Sequence, residues 1–360
     1  MDPLKEMFNK EFYRHFAKAF GEADRNFNTG AFVKDVTRDM EGLSLNGRLR
    51  NTSVVLHKHL PEDFQKAITI IYKAAPSLQT GYTALVLPDF VALYGKADFD
   101  LSMEALKHFT QLGSSEFAIR EFLKTDLSKT LKVMNKWAED KNPHVRRLAS
   151  EGSRPRLPWS FKLDEIIKKP TLTQPILEKL NADNELYVRK SVANHLNDHS
   201  KDNTAYMLQL VKAWDKNHQH TAWIIKHAIR TLIKKGDKDA LMIFGFGEDV
   251  KVKLQKFSID KTALRLGETL QFSFRLASES DAPQKLVIDY AVHYAKSSGA
   301  LSKKVFKLKE VTLQPGETID VSKKQLFQDL TTRKHYAGKH LLEIIVNGKM
   351  MGSKGFSLEV

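Results

Sequence analysis

The sequence contains no cysteine. That excludes disulfides, thiolate nucleophiles, thiolate zinc sites and iron–sulfur clusters. Long apolar runs are missing as well. The best stretches, ITIIYKAA (68–75) and TALVLPDF (83–90), fall short of the ~18–20 residues that a membrane helix needs. The opening MDPLKEMFNKEF mixes acids and bases and has no apolar core of a signal peptide. There is no Walker A loop, no dinucleotide glycine fingerprint, no nucleophile elbow and no HExxH pattern. These absences predict a soluble, cytoplasmic protein with no membrane association, no cofactor and no metal centre.

What is abundant is positive charge. Lys and Arg number 57 against 43 Asp and Glu, a formal net charge of +14. Such an excess favours a polyanionic partner, either nucleic acid or an anionic surface. At the N-terminus, Phe8, Phe12, Phe16 and Phe20 recur every four residues, which predicts the buried stripe of an amphipathic helix rather than a membrane-surface one.

The hydrophobic period changes near GFGED (245–249). Before it, segments 5–22, 62–75, 99–112, 126–139, 204–216 and 221–235 repeat apolar residues at helical spacing, between breaker-rich connections such as EDKNP and KKGD. After it, alternation takes over in VKVKLQKFSI, LQFSFRLA, KLVIDYAVHY, KKVFKLKEV and HLLEIIVNG, with turn signals between. The expected organisation is a mainly α chain, with a helical domain over 1–248 and an all-β immunoglobulin-like sandwich of six or seven strands over 249–360. The second segment holds 19 Lys and Arg against 12 Asp and Glu. It is therefore more basic per residue than the first, and its turns KSSGALSKK (296–304) and TTRKHYAGK (331–339) are themselves basic.

The helical half carries a weak internal repeat. PHVRRLASEG (143–152) aligns with LYVRKSVANH (186–195), and HTAWIIKHAIRTL continues the theme. Paired helices at such a period predict a HEAT-like α-solenoid with a concave face. Arg146, Arg147, Arg189, Lys190, Lys226 and Arg230 recur at similar helix positions. They read either as solvated helix surface or, given the overall charge, as a groove for a phosphate backbone.

One stretch concentrates unusual residue types. NPHVRRLASEGSRPRLPWSF (142–161) holds four arginines (Arg146, Arg147, Arg154 and Arg156), three prolines, the lone carboxylate Glu151 and Trp159. Glu151 follows Arg147 by four residues, so an ordinary helix ion pair fits it. The prolines, however, end the helix just beyond and turn Trp159 back toward the acid. Glu116, in GSSEFAIREFL, reads as a first-turn acid behind a Ser114 or Ser115 N-cap. Asp198 lies just past the place that Glu151 holds in the preceding repeat, so one rim would bring both acids together. His195 and His199 have a spacing that suits a metal, yet other casual histidine pairs (57 and 59, 218 and 220) weaken that reading.

SSEFAIREFL, HVRRLASEGSRPRLPW, YVRKSVANHLND and AWIIKHAIRTLIKKG, in that order, closely resemble the AlkC-type DNA alkylation-repair glycosylases of the HEAT-like AlkC/AlkD superfamily. VIDYAVHY, KKVFKLKEVTL and TTRKHYAGKH resemble the immunoglobulin-like domain of that family's longer members. The resemblance runs from about residue 30 to the end. It implies a bacterial enzyme, monomeric and active at the nucleoid. Its substrate would be double-stranded DNA, from which it hydrolyses the N-glycosidic bond of 3-methyladenine and 3-methylcytosine without flipping the base. It further implies that the catalytic residues are Glu116, Glu151, Trp159 and Asp198, with the neighbouring arginines, Arg154 and Arg156 among them, on DNA phosphates. Glu121 stands where the family pattern has proline. The competing expectation is a non-catalytic DNA- or protein-binding scaffold, since solenoids and sandwiches commonly serve as platforms.

Overall fold

The computed structural model describes residues 4–243, 245–247, 250–330 and 333–360. Glu248 and Asp249 of the GFGED boundary, and Thr331 and Thr332 of the second basic turn, lie outside the described residues. The chain forms two compact units, Met1–Ala228 and Ile229–Val360. The first is helical and the second is dominated by a β-sandwich.

In the helical unit, side chains of the connections fix the helix starts. Asn9, Asn28, Ser44, Asp63, Asp98, Asp126 and Asn142 each accept a backbone N–H of the first turn. Asn142 is followed by Pro143, whose missing N–H costs nothing at that position. The phenylalanine stripe is internal: Phe8, Phe16 and Phe20 are buried, and Phe16 stacks on Phe32. Helix Val86–Tyr94 gave no periodic signal because it is buried nearly all round, at Val86, Leu87, Pro88, Phe90, Val91 and Ala92. Helix Leu186–His199 packs against both Pro143–Gly152 and Gln219–Ala228, as stacked repeats require.

The expected continuous helix over 221–235 is divided into Gln219–Ala228 and Arg230–Lys235. The Ala228 carbonyl accepts the Asn197 side-chain amide at 2.8 Å, and a side chain entering the ladder in this way ends regular helix. The units part here, ahead of the change of period that places the sequence boundary at 248. Residues beyond Ala228 pack with the sandwich: Ile233, Leu241 and Phe246 form a small core with Val287. Gly236, at the end of Arg230–Lys235, stands so close to Gly348 that a Cβ on Gly348 would lie 2.2 Å from its Cα.

The sandwich strands are β1 (Val252–Ile259), β2 (Ala263–Arg265), β3 (Thr269–Ser278), β4 (Gln284–Ala295), β5 (Leu301–Leu313), β6 (Thr318–Leu326), β7 (Gly338–Val346) and β8 (Lys349–Glu359). One sheet has the order β1-β3-β6 and the other β2-β8-β7-β4-β5. Their inner faces enclose Phe272, Phe274, Tyr290, Val292, Leu342, Ile344 and Phe356. Among the described residues, eight strands exceed the expected six or seven. β2 has only three residues, and β6 (TIDVSKKQL) is an edge strand with little apolar alternation. The β7–β8 turn places Asn347 and Gly348 at φ 45° and 78°, the two positive values that a tight hairpin demands.

Candidate active site

Helix Pro143–Gly152 buries Val145, Leu148 and Ala149 and carries Glu151 in its last turn. Its end presses against helix Ala118–Thr125: a Cβ on Gly152 would meet the Ile119 side chain at 2.4 Å. Glycine thus lets the two helices approach where Glu151 is presented. The chain then turns through Pro155 and Pro158, closed by bonds from Leu163 N to the Pro155 carbonyl (3.1 Å) and Ser160 N to the Leu157 carbonyl (3.3 Å). At the tip, Trp159 adopts φ 66° and is 76% exposed. A left-handed backbone under a bulky side chain is costly and marks a position held by its surroundings.

The three candidate acids are joined by two arginines. Arg154 donates through Nη1 to Glu151 Oε1 at 2.7 Å and through Nε to Asp198 Oδ2 at 2.8 Å. Arg147 donates to Glu116 Oε2 at 2.6 Å, and its other nitrogen lies 3.7 Å from Glu151. Glu151, Asp198 and Arg154 are buried. Lys201 reaches the second oxygen of Asp198 at 3.3 Å. Burial pulls the Arg154 and Arg147 guanidiniums down, but the carboxylates more than offset it and leave both above the ordinary arginine value.

Glu116 is not the first-turn acid of a serine-capped helix. Helix Ala118–Thr125 has no side-chain cap, and its first-turn acid is Glu121. Ser114 instead donates to Glu116 Oε2 at 2.7 Å, beside Arg147. Glu121 pairs with Lys96 at 3.0 Å. Glu116, Glu151, Trp159, Arg147 and Arg154 line one cleft of about 760 Å³, with Tyr82, Phe117 and Tyr187 on its walls. Asp198 is not among the lining residues and stands behind Arg154.

The remaining basic residues fall into different settings. Arg146 is bidentate to Asp183 at 2.6 and 3.1 Å, and Arg156 is bidentate to Asp202 at 2.6 Å for both bonds. Arg189 donates to the carbonyls of Asp183 and Asn184 and lies over the Trp223 ring. Lys190 and Lys226 are exposed; Arg230 is half-buried and belongs to the second compact unit. His195 and His199 are buried with ring centroids 5.1 Å apart, and His195 Nδ1 bonds the Ser150 carbonyl at 3.0 Å. Burial holds His195 well below the usual imidazole range and His199 down to about 4. Among the described residues, no helix is long and apolar enough to cross a membrane.

Two residues of this region escaped the sequence reading. Tyr187 walls the cleft with its ring 4.7 Å from the Arg147 guanidinium. Arg120 is wholly buried and bonds three backbone carbonyls, those of Gly152, Arg154 and Phe161. An arginine inside an apolar run, FAIREFL, was the available signal, since a buried charge requires partners.

Comparison with known proteins agrees with this architecture. Residues 104–232 match the family described as DNA alkylation repair enzyme, and residues 253–360 match the C-terminal Ig-like domain of the uncharacterised protein YhaZ. The chain is 42% identical over 359 residues to that YhaZ protein of Bacillus subtilis, covering 99% of this chain and all of the relative. It is similar throughout, at 46% identity and a TM-score of 0.97, to the Pseudomonas fluorescens alkylpurine DNA glycosylase AlkC, a structure bound to DNA containing an abasic site analog; 100% of both chains is covered. A helical repeat unit followed by an Ig-like sandwich, matched end to end at this identity, makes the chain a member of the AlkC family of DNA alkylation-repair glycosylases.

Proposed function

We propose that this glycosylase hydrolyses the N-glycosidic bond of cationic alkylated bases, 3-methyladenine and 3-methylcytosine, in duplex DNA. The observation that carries the reading is the cleft itself, where Glu151 and Glu116 meet an exposed Trp159 and Asp198 is tied in through Arg154. The relative bound to DNA with an abasic site analog supports the same partner and the same product-like sugar.

An N3-alkylated base is already a good leaving group because the departing base takes the bonding electrons and becomes neutral. The remaining task is to stabilise the oxocarbenium-like deoxyribose and deliver water to it. A carboxylate ~4 Å from that cation contributes about 1 kcal/mol in water and about 4 kcal/mol at an effective dielectric near 20. Help given selectively to the transition state raises the rate tenfold per ~1.4 kcal/mol. Glu151 and Glu116 face the cleft and serve this purpose, with Asp198 holding Arg154 against Glu151. Trp159 offers its negative ring face to the sugar. Its exposure at the cleft edge suits a base that stays stacked, in contrast to the closed pockets of base-flipping enzymes.

Of the basic residues of the helical repeats, the exposed Lys190 and Lys226 supply phosphate contacts and register, while Arg146, Arg147, Arg154, Arg156 and Arg189 are held by carboxylates or backbone carbonyls and order the surface around the cleft; the Ig-like domain adds a second basic surface. The protein acts as a monomer at the bacterial nucleoid. The test is incubation with methylated duplex DNA and identification of the freed bases. Release of 3-methyladenine and 3-methylcytosine is expected, with little 7-methylguanine and no hypoxanthine or uracil. Release of no base, with DNA binding intact, would favour a binding scaffold.

A further inference from the structure

Arg120 belongs to none of the groups so far given a role, yet it is among the largest fully buried side chains. Its helix, Ala118–Thr125, buries Ala118, Ile119, Phe122 and Leu123. Its guanidinium lies across the gap between the end of helix Pro143–Gly152 and the loop beyond. Nη1 donates to the carbonyl of Gly152 at 3.0 Å and to that of Arg154 at 2.6 Å, and Nη2 donates to that of Phe161. The Phe161 ring covers the guanidinium with its centroid 5.2 Å away. These three carbonyls bracket the segment that carries Trp159: two stand at its entry and one at its exit.

Burying a guanidinium is expensive and is offset to the extent that its hydrogen bonds are met; here both Nη atoms are bonded, while Nε is buried without a hydrogen-bond partner among the described residues. Burial, and next to it Arg154, lower its pKa to about 10, so it stays charged at neutral pH. A planar fork spans several carbonyls at once, whereas an ammonium is a single point. Trp159 is exposed on a left-handed backbone, so its posture must come from the loop's anchors.

We propose that Arg120 is a positioning residue: it clamps both stems of the 154–161 loop and thereby fixes the Trp159 indole over the cleft. The inference rests on the proposed role of Trp159 in excision.

The test uses the full chain labelled with fluorotryptophan, with the Trp159 resonance assigned by Trp159→Phe, and single-turnover release of 3-methyladenine. Arg120→Lys keeps the charge and loses the fork; Arg120→Met keeps the bulk. In both, the Trp159 resonance should shift or broaden while those of Trp137, Trp214 and Trp223 hold. Excision should slow by roughly 10–100-fold with DNA affinity little changed. In a Trp159→Ala background the same substitutions should slow excision less than about threefold. Arg48→Met is the control, removing a buried arginine that bonds the carbonyls of Lys5, Phe8 and Met40; it should lower stability and leave the Trp159 resonance in place. An unmoved Trp159 resonance, full multiplicative loss in the Trp159→Ala background, or unfolding of both Arg120 variants would overturn the proposal. If Trp159→Ala alone leaves excision unchanged, the role of Trp159 fails, while the resonance still reports whether Arg120 sets its posture.

Discussion

Arg154 Nε donates to Asp198 Oδ2 at 2.8 Å, tying the loop after one helical repeat to the end of the next repeat helix. The same guanidinium holds Glu151 at 2.7 Å. Removing the arginine would leave two buried carboxylates without their main partner, and breaking a buried ion pair typically costs about 3–5 kcal/mol. Arg154→Met is therefore expected to lower stability by that order in urea denaturation. Adding Glu151→Gln and Asp198→Asn should recover part of the loss. A change below about 1 kcal/mol would show that the network is solvated and slack.

The acids are predicted to act on rate more than on folding. Glu151→Gln should stay folded by circular dichroism and lose roughly 10²–10³-fold in single-turnover excision, the scale of one preorganised electrostatic contact; Asp198→Asn, which acts through Arg154, should stay folded and lose a smaller factor. Equal losses of DNA affinity with intact chemistry would move both residues into the binding surface. Glu116→Gln should behave likewise, because its carboxylate faces Arg147 in the cleft.

Acid should weaken the helical unit through its buried histidines. His199 is held at about 4 and His195 is also depressed, both chiefly by burial. The unfolded chain, with imidazoles near 6.5, binds protons that the folded chain refuses. Their contribution is complete above pH ~6.5 and declines as pH falls toward 4, by about 3 kcal/mol for His199 taken alone. Melting temperature measured between pH 7 and 4.5 should drop, and His199→Phe should flatten the slope. An identical slope in the variant would assign the acid sensitivity to other groups.

Lys296, in the β4–β5 turn, and Lys304, in the first half of β5 where it pairs with Val292, are both exposed. If this turn meets DNA, Lys296→Glu and Lys304→Glu should weaken binding uniformly across sequences. Each should also reduce the logarithmic salt slope by about one. An unchanged slope would place this turn away from the phosphates.

Much of this was legible in the sequence, for local reasons. The change from helical to alternating period separates two architectures because each period buries one face. Glu151 and Trp159 stand out because prolines and arginines crowd around them within one stretch, and the repeat register carries Asp198 to the same rim. Arg120 was hidden because its partners lie 32, 34 and 41 residues away. Local pattern makes Glu116 a helix-start acid because its partner Arg147, 31 residues on, cannot be paired with it from neighbouring residues. Three strands lie outside the alternating segments: β2 is only three residues long, β6 is an edge strand that need not alternate clearly, and β8 (KMMGSKGFSLE) is interrupted by glycines and lysines.

The cleft is proposed to stabilise the sugar cation common to its substrates rather than to read the base. This role is tested most directly by single-turnover excision of 3-methyladenine and 3-methylcytosine by the native chain and by Trp159→Ala. Trp159 is largely exposed, so stability should stay within about 0.5 kcal/mol. Excision of both lesions should slow by similar factors. Loss of one lesion with retention of the other would make Trp159 a reader of the base and contradict the sugar-cation account.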